Sequence, residues 1–166
     1  MKRAAALLLS IWTAGAAHAF GAVVTRVSDG DTLFVQPDDR GRKPLKVRLR
    51  DIDAPERCQA WGEEARAALA QRVLGRRVEI RPRSRDDWQR VIAALSLGDD
   101  DIGAWMVAEG HAWSTRWRGA PARYAAEERA ARAARRGVHA HAGAVEPWRF
   151  RSRHGPCTRG RSRLQR

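Results

Sequence analysis

An Asp-Gly pair, Asp29-Gly30, separates two short apolar, β-branched runs, Ala22 to Val27 and Thr32 to Val35. Such a pair between two strand-like runs is a strong hairpin signal and commits the start of the chain to antiparallel sheet. After a second polar turn at Gly41 to Pro44, Leu45-Lys46-Val47-Arg48-Leu49-Arg50 alternates apolar with basic residues. Period 2 predicts a third strand, with Arg48 on the face opposite Val47 and Leu49. The period then changes. Ala65, Ala68, Leu69 and Val73 lie on one face of a predicted helix that ends at Gly75.

Two further strands are predicted at Arg77 to Arg81 and Val91 to Leu95, around a polar turn at Ser84 to Gln89. Two helical stretches follow, near Ile102 to Glu109 and from about Ala122 to Arg136, the second stopped by Gly137. Five short strands interrupted by one helix and followed by others predict an α+β fold, a five-stranded barrel of the OB type carrying about three helices. The length of 166 residues suits one such domain, assigned here to residues 20–148.

Both ends read differently from this middle. Lys2 and Arg3 precede an apolar run from Ala4 through Trp12, and small residues then lead to Ala17-His18-Ala19. That is the pattern of a secretory signal peptide over residues 1–19, cleaved before Phe20, and the expected location is the periplasm or the exterior. The run is too short for a membrane span. From Arg149 to the end, seven Arg fall among 18 residues with almost no apolar periodicity. This predicts a basic C-terminal extension over 149–166, ordered only near Cys157 if that residue is tied down. Cys58 and Cys157 are the only two cysteines. In an exported chain such a pair is expected as a disulfide, and two free thiols are the alternative.

The formal net charge is +13, and all but Lys2, Lys43 and Lys46 of the 32 basic residues are Arg. Guanidinium meets phosphate with two parallel hydrogen bonds, so nucleic acid is the natural partner of that bias. Coding composition alone could also produce it, and placement has to decide. The carboxylates are placed suggestively: Asp31 at the start of a strand, Asp53 and Glu56 in the turn Asp53-Ala54-Pro55-Glu56. Carboxylates and a backbone carbonyl at loop-strand junctions suit a hard cation, although Asp beside Gly or before Pro is also ordinary turn chemistry.

The order Asp-Gly-Asp-Thr at 29–32, Val-Arg-Leu-Arg-Asp-Ile-Asp-Ala-Pro-Glu at 47–56, and Asp-Asp-Trp-Gln-Arg at 86–90 resembles the three signature blocks of the staphylococcal nuclease family. The resemblance runs from about Ala22 to Val138. It implies an OB-fold barrel and an exported phosphodiesterase that uses calcium to cleave DNA or RNA. It places calcium on Asp31, Asp53 and the Ala54 carbonyl, water activation on Glu56, and phosphate binding on Arg48 and Arg90, with Asp29 and Thr32 beside the metal. Two features depart from the family. Trp88-Gln89 stands where it usually has Tyr-Gly, which bears on how Arg90 is aimed. The tyrosines that stack a base in its type member have no match in Trp113-Ser114-Thr115-Arg116-Trp117-Arg118, so Arg116, Trp117 and Arg118 are the expected substrate contacts there.

Trp105 and Trp113 are expected in the core. His111, His139, His141 and His154 lack zinc-finger spacing and are expected in loops or the tail. Two functions follow: a monomeric calcium nuclease of low sequence specificity acting on single-stranded or unpaired nucleic acid, or a catalytically idle nucleic-acid-binding module on the same barrel. Joint retention of Asp31, Arg48, Asp53, Glu56 and Arg90 favours the enzyme.

Overall fold

The computed structural model describes residues 18–39, 41–116, 119, 121–155 and 157. Residues 1–17 of the expected signal peptide, Trp117, Arg118 and the Arg-rich stretch 158–166 therefore lie outside the described residues. Strands β1 (Phe20–Asp29) and β2 (Thr32–Pro37) form the hairpin, with Asp29 opposite Thr32. β3 (Leu45–Leu49) pairs antiparallel with β2, and β5 (Arg77–Arg85) pairs with β1 and with β6 (Val91–Leu97). A parallel pairing of β3 with β6, Arg48 beside Ile92, closes these five strands into a barrel. Full closure removes the exposed strand edges. It also brings Arg48 on β3 and Arg90, the residue before β6, to the same part of the barrel rim.

Inward positions of the strands fill the barrel: Val24, Leu33, Val35, Val47, Leu49, Ile80 and Leu95 are all buried. Helix α1 (Gly62–Val73) covers one end with buried Ala65, Leu69 and Val73 of the stripe predicted from spacing, while Ala68 at its margin is half-buried. Gly30 turns the first hairpin against this helix. A Cβ there would lie 2.7 Å from Cβ of Ala54 and 2.8 Å from that of Ala65, so only glycine lets the hairpin nest against the Asp53–Glu56 turn.

β4 (Ile52–Asp53) and β8 (Trp113–Ser114) make a two-stranded ladder beside the barrel, and β7 (Asp100–Asp101) pairs antiparallel with the end of β6. Helix α2 (Ile102–Ala108) is capped by the Asp101 carboxylate, which accepts from the Ala104 N–H at 3.1 Å. The Tyr124 hydroxyl donates to the same carboxylate, and burial together with the Asp101 charge pushes its pKa up to about 12. Tyr124 is thus a core residue. Trp113 is buried and Trp105 packs partly buried against the core.

Helix α3 (Ala125–Ala133) is shorter than its alanine-rich sequence predicts, because Arg135 and Gly137 take positive φ and a 3-10 turn follows at Gly137–Ala140. The larger difference lies in the tail. The boundary drawn at residue 149 falls inside a fourth helix, α4 (Pro147–His154), which has Pro at its first turn and Arg151, Arg153 and His154 in its last. Basic residues at a helix C-terminus complement the macrodipole, a local signal that apolar periodicity does not carry. Among the described residues no helix is long and apolar enough to cross a membrane.

Candidate active site

Asp31 sits at the hairpin tip and is 4% exposed, with the Thr32 hydroxyl donating to its Oδ1 at 2.9 Å and the Ala54 N–H to its Oδ2 at 3.2 Å. Arg48, on the polar face of β3 as its alternation predicted, reaches two carboxylates with one guanidinium. Its Nη1 donates to Asp31 Oδ2 and its Nη2 to Asp53 Oδ1, the latter at 2.8 Å. Asp53, also 4% exposed, is fixed by the β4–β8 ladder opposite Trp113.

Charge in this cluster is mutually sustained. Burial alone would raise the Asp31 pKa, but the Arg48 guanidinium and the Ala54 N–H hold it below the ordinary carboxylate value. Burial would lower the pKa of Arg48, and Asp31 and Asp53 more than offset that, so it remains a cation. Asp29, next along the hairpin, is pushed up to about 7 by burial and by the charge of Asp31.

Glu56 stands at the end of the Pro turn. Its N–H donates to Gln59 Oε1 at 3.2 Å, while its carbonyl accepts from the Gln59 N–H at 2.8 Å. A Cβ on Gly62 would lie 1.9 Å from the Glu56 carbonyl oxygen, so glycine at the start of α1 allows this turn to close against the helix. Cys58 and Cys157 are bonded across a sequence separation of 99 residues, and the Cys58 N–H points at Cys157 Sγ at 3.0 Å. The crosslink seats α4 beside the turn. Arg151 of α4 then donates to Asp53 Oδ1 and Glu56 Oε1, both at 3.0 Å, and to Asp53 Oδ2 at 2.9 Å.

Arg90 lines a cleft of about 890 Å³ together with Arg48, Asp53, Arg85, Arg116, Trp148 and Arg151 among others. Asp86 aims it: one carboxylate oxygen takes the N–H groups of Trp88 and Arg90, the other takes Arg90 Nε at 2.6 Å. Gln89, where the related family usually has glycine, adopts φ of 61°, so the turn is made with a non-glycine residue in the left-handed region. Trp88 and Trp148 line the same cleft and are 75% and 55% exposed.

The structure thus brings together Asp31, Arg48, Asp53, Ala54 and Glu56, with Arg90 and Arg116 lining the same cleft as Arg48 and Asp53. Trp117 and Arg118 lie outside the described residues. Sequence reasoning missed Arg151, Trp148 and the anchor Gln59, whose Nε2 donates to the Val145 carbonyl at 2.6 Å. The pairing of Cys157 with Cys58 was the one signal that the tail returns to the site.

The donors at this point are all oxygen, the chemistry of a hard cation, and Asp31 and Asp53 already flank one positive group, the Arg48 guanidinium. Among the described residues no three carboxylate, imidazole or thiolate side chains converge as a ready-made cage. An ion here would therefore draw on the two aspartates, backbone oxygen and water, and would share the aspartates with arginine.

A family model described as staphylococcal nuclease homologue matches residues 46–141. The chain belongs to the staphylococcal nuclease family. It is 33% identical over 162 residues to a protein named micrococcal nuclease from Shigella flexneri, covering 91% of each chain. It is 37% identical over 163 residues to Protein ParB of Escherichia coli, covering 91% of this chain and 90% of that one. An uncharacterized endonuclease of Haemophilus influenzae is 37% identical over 91 residues, 55% of this chain and 50% of its own.

Proposed function

We propose that this member of the staphylococcal nuclease family, a phosphodiester hydrolase, is exported, acts as a monomer, requires calcium, and cleaves single-stranded or unpaired DNA or RNA with little sequence preference. The observation that carries the reading is the buried pair Asp31 and Asp53 gathered on Arg48, with Glu56 adjacent, at a cleft that Arg90 also lines.

A phosphodiester repels an attacking hydroxide, and in-line attack places more charge on the phosphoryl oxygens. Arg48 and Arg90 line the same cleft and can neutralise those oxygens, each with a planar fork of donors. Glu56 can take the proton of the attacking water at a carboxylate oxygen. Asp31, Asp53 and the Ala54 carbonyl would hold the calcium. Bound there, a divalent ion supplies further neutralisation of the phosphoryl group. Exposed Trp88 and Trp148 on the cleft wall offer faces on which unpaired bases can stack, which supports the reading of single strands as substrate and of low sequence preference, since every base has a π-face. Export is supported by the residue pattern of 1–19 and by the crosslinked cysteines.

The test is initial rate on single-stranded DNA and on RNA, with calcium and with chelator, for the unmutated protein, Glu56→Gln and Asp53→Ala. Glu56→Gln should lower kcat about a hundredfold or more at an unchanged calcium requirement, while oligonucleotide binding persists. Asp53→Ala should raise the calcium requirement, with excess calcium restoring part of the rate. Near-normal turnover by Glu56→Gln would remove the role given to Glu56. An unmutated protein that binds nucleic acid but cleaves neither substrate would leave the binding-module reading.

A further inference from the structure

Arg151 lies outside all three sequence blocks of the family, yet it contacts two of the site carboxylates. The helix that carries it is fixed at both ends. Before it, Gln59 holds the Val145 carbonyl at 2.6 Å and Pro147 is buried. After it, Cys157 is bonded to Cys58, two positions beyond Glu56. From between these anchors Arg151 places Nη1 on Asp53 Oδ1 and Glu56 Oε1, and Nη2 on Asp53 Oδ2. Arg48 Nη2 also occupies Asp53 Oδ1, so guanidinium groups engage both oxygens of Asp53. Burial would weaken the charge of Arg151, but Asp53 and Glu56 raise its pKa and keep it cationic.

We propose that Arg151 is a positioning residue that acts as a tethered internal cation: it holds Asp53 and Glu56 in the metal-free protein and competes with a divalent ion for Asp53, so that α4 sets the metal affinity of the site. The inference rests on the reading that Asp53 is a metal ligand. A carboxylate oxygen has two lone pairs, and both on Asp53 Oδ1 are taken by arginine. A divalent ion placed on Asp53 would also stand within a few ångströms of the Arg151 charge and repel it in a partly buried setting. The disulfide keeps the competitor close at all times, which raises its effective concentration far above that of a free cation. A third of the Arg151 side chain is exposed, so the guanidinium can swing off Asp53 without unfolding the helix. Coupling of this kind is reciprocal: if Arg151 weakens calcium binding, calcium loosens the seat of α4.

The experiment titrates calcium calorimetrically into the full chain without nucleic acid, comparing the unmutated protein with Arg151→Ala, Arg151→Lys and Arg149→Ala. Arg151→Ala should bind calcium about 5- to 150-fold more tightly, the usual range for a coupling between sites. Arg151→Lys should fall between, since it keeps the charge and loses the two-pronged grip on Asp53. Arg149→Ala should match the unmutated protein, because Arg149 pairs with Glu146 on the same helix. Hydrogen exchange of the unmutated protein should show α4 amides exchanging faster when calcium is added. Unchanged or weaker calcium binding by Arg151→Ala, or slower α4 exchange with calcium, overturns the role of Arg151 and leaves Asp53 as a ligand. Absence of calcium binding in every protein removes the metal reading itself and this inference with it.

Discussion

The barrel half of the site and the tail half are held by different forces. Arg48 and Asp53 project from paired strands and Asp31 from the tight turn joining β1 to β2, so their positions follow from the backbone ladder and from the burial of Leu33, Val47, Leu49 and Ile52. Arg151 and Trp148 project from an eight-residue helix whose only buried residue is Pro147. Such a helix is too short to be stable alone. A crosslink, one side-chain hydrogen bond and ion pairs fix it instead. The first half is rigid because the fold is; the second is seated by contacts that can be broken one at a time while the barrel remains.

Removing the crosslink should therefore separate the two halves most strongly. The chain-entropy model for a loop of this size gives about 4.7 kcal/mol, an upper figure where the unfolded chain is compact. The double variant Cys58→Ser/Cys157→Ser should lose roughly 2–4 kcal/mol of unfolding free energy in a denaturant titration. Its hydrogen exchange at neutral pH should accelerate first in α4, with β1, β2 and β3 remaining protected. A loss below about 1 kcal/mol with α4 still protected would mean that Arg151 and Gln59 seat the tail without the crosslink, and that the two halves are held alike.

The same division governs what could be read from the chain. The hairpin at Asp29-Gly30, the polar face of β3 and the stripe of α1 repeat a local rule several times, and repetition makes a pattern visible. The placement of Arg48 against Val47 and Leu49 is an instance. Arg151 obeys no such rule. It is one of seven Arg in a segment without apolar period, and its partner is chosen by a covalent bond to a residue 99 positions earlier. Trp148 was hidden for the same reason. The contact between Gly62 and the Glu56 carbonyl was hidden differently, since it depends on two backbones meeting in space rather than on a period.

On the barrel side, Gln89 carries a local backbone strain. Its positive φ puts a non-glycine residue where L-amino acids pay about 1–2 kcal/mol, while the turn is kept by Asp86 binding the Trp88 and Arg90 N–H groups. Gln89→Gly relieves that strain but adds freedom to the unfolded chain, so a net gain of about 0.5 kcal/mol in unfolding free energy is expected. Turnover should stay within about twofold, because Asp86 still aims Arg90. If the variant instead loses activity at unchanged stability, the aim of Arg90 depends on Gln89 itself, and this rim of the barrel is less rigid than its strand pairing implies.

The smallest effect concerns the helical layer, which belongs to neither half. The Trp61 Nε1–H donates to His111 Nδ1 at 3.2 Å, a bond that requires an unprotonated acceptor, and Trp61 and Trp105 both lie against the imidazole ring. Burial lowers the His111 pKa below the ordinary value of 6.5, against a weaker opposing pull from Glu109. A base with a lowered folded pKa binds fewer protons when folded than when unfolded, so its contribution is present above about pH 6.5 and is lost as pH falls through the folded value. Asp29, an acid pushed up to about 7, works in the opposite sense: its contribution is present below the ordinary Asp value of 3.8 and is lost as pH rises through 7. The pH curve of the unmutated protein alone mixes the two. The comparison with His111→Gln isolates the imidazole, because Asp29 is common to both. Urea midpoints measured from pH 8 to pH 5 should fall further on acidification for the unmutated protein than for His111→Gln. Exchange of α4 amides should be no more affected in one than in the other, since among the described residues no hydrogen bond or ring contact joins Trp61 or His111 to Arg151. Parallel curves for the two proteins would show that the Trp61 bond does not depend on the charge of His111; a difference confined to α4 would show that the helical layer and the tail are one unit, and that the two halves of the site are coupled through it.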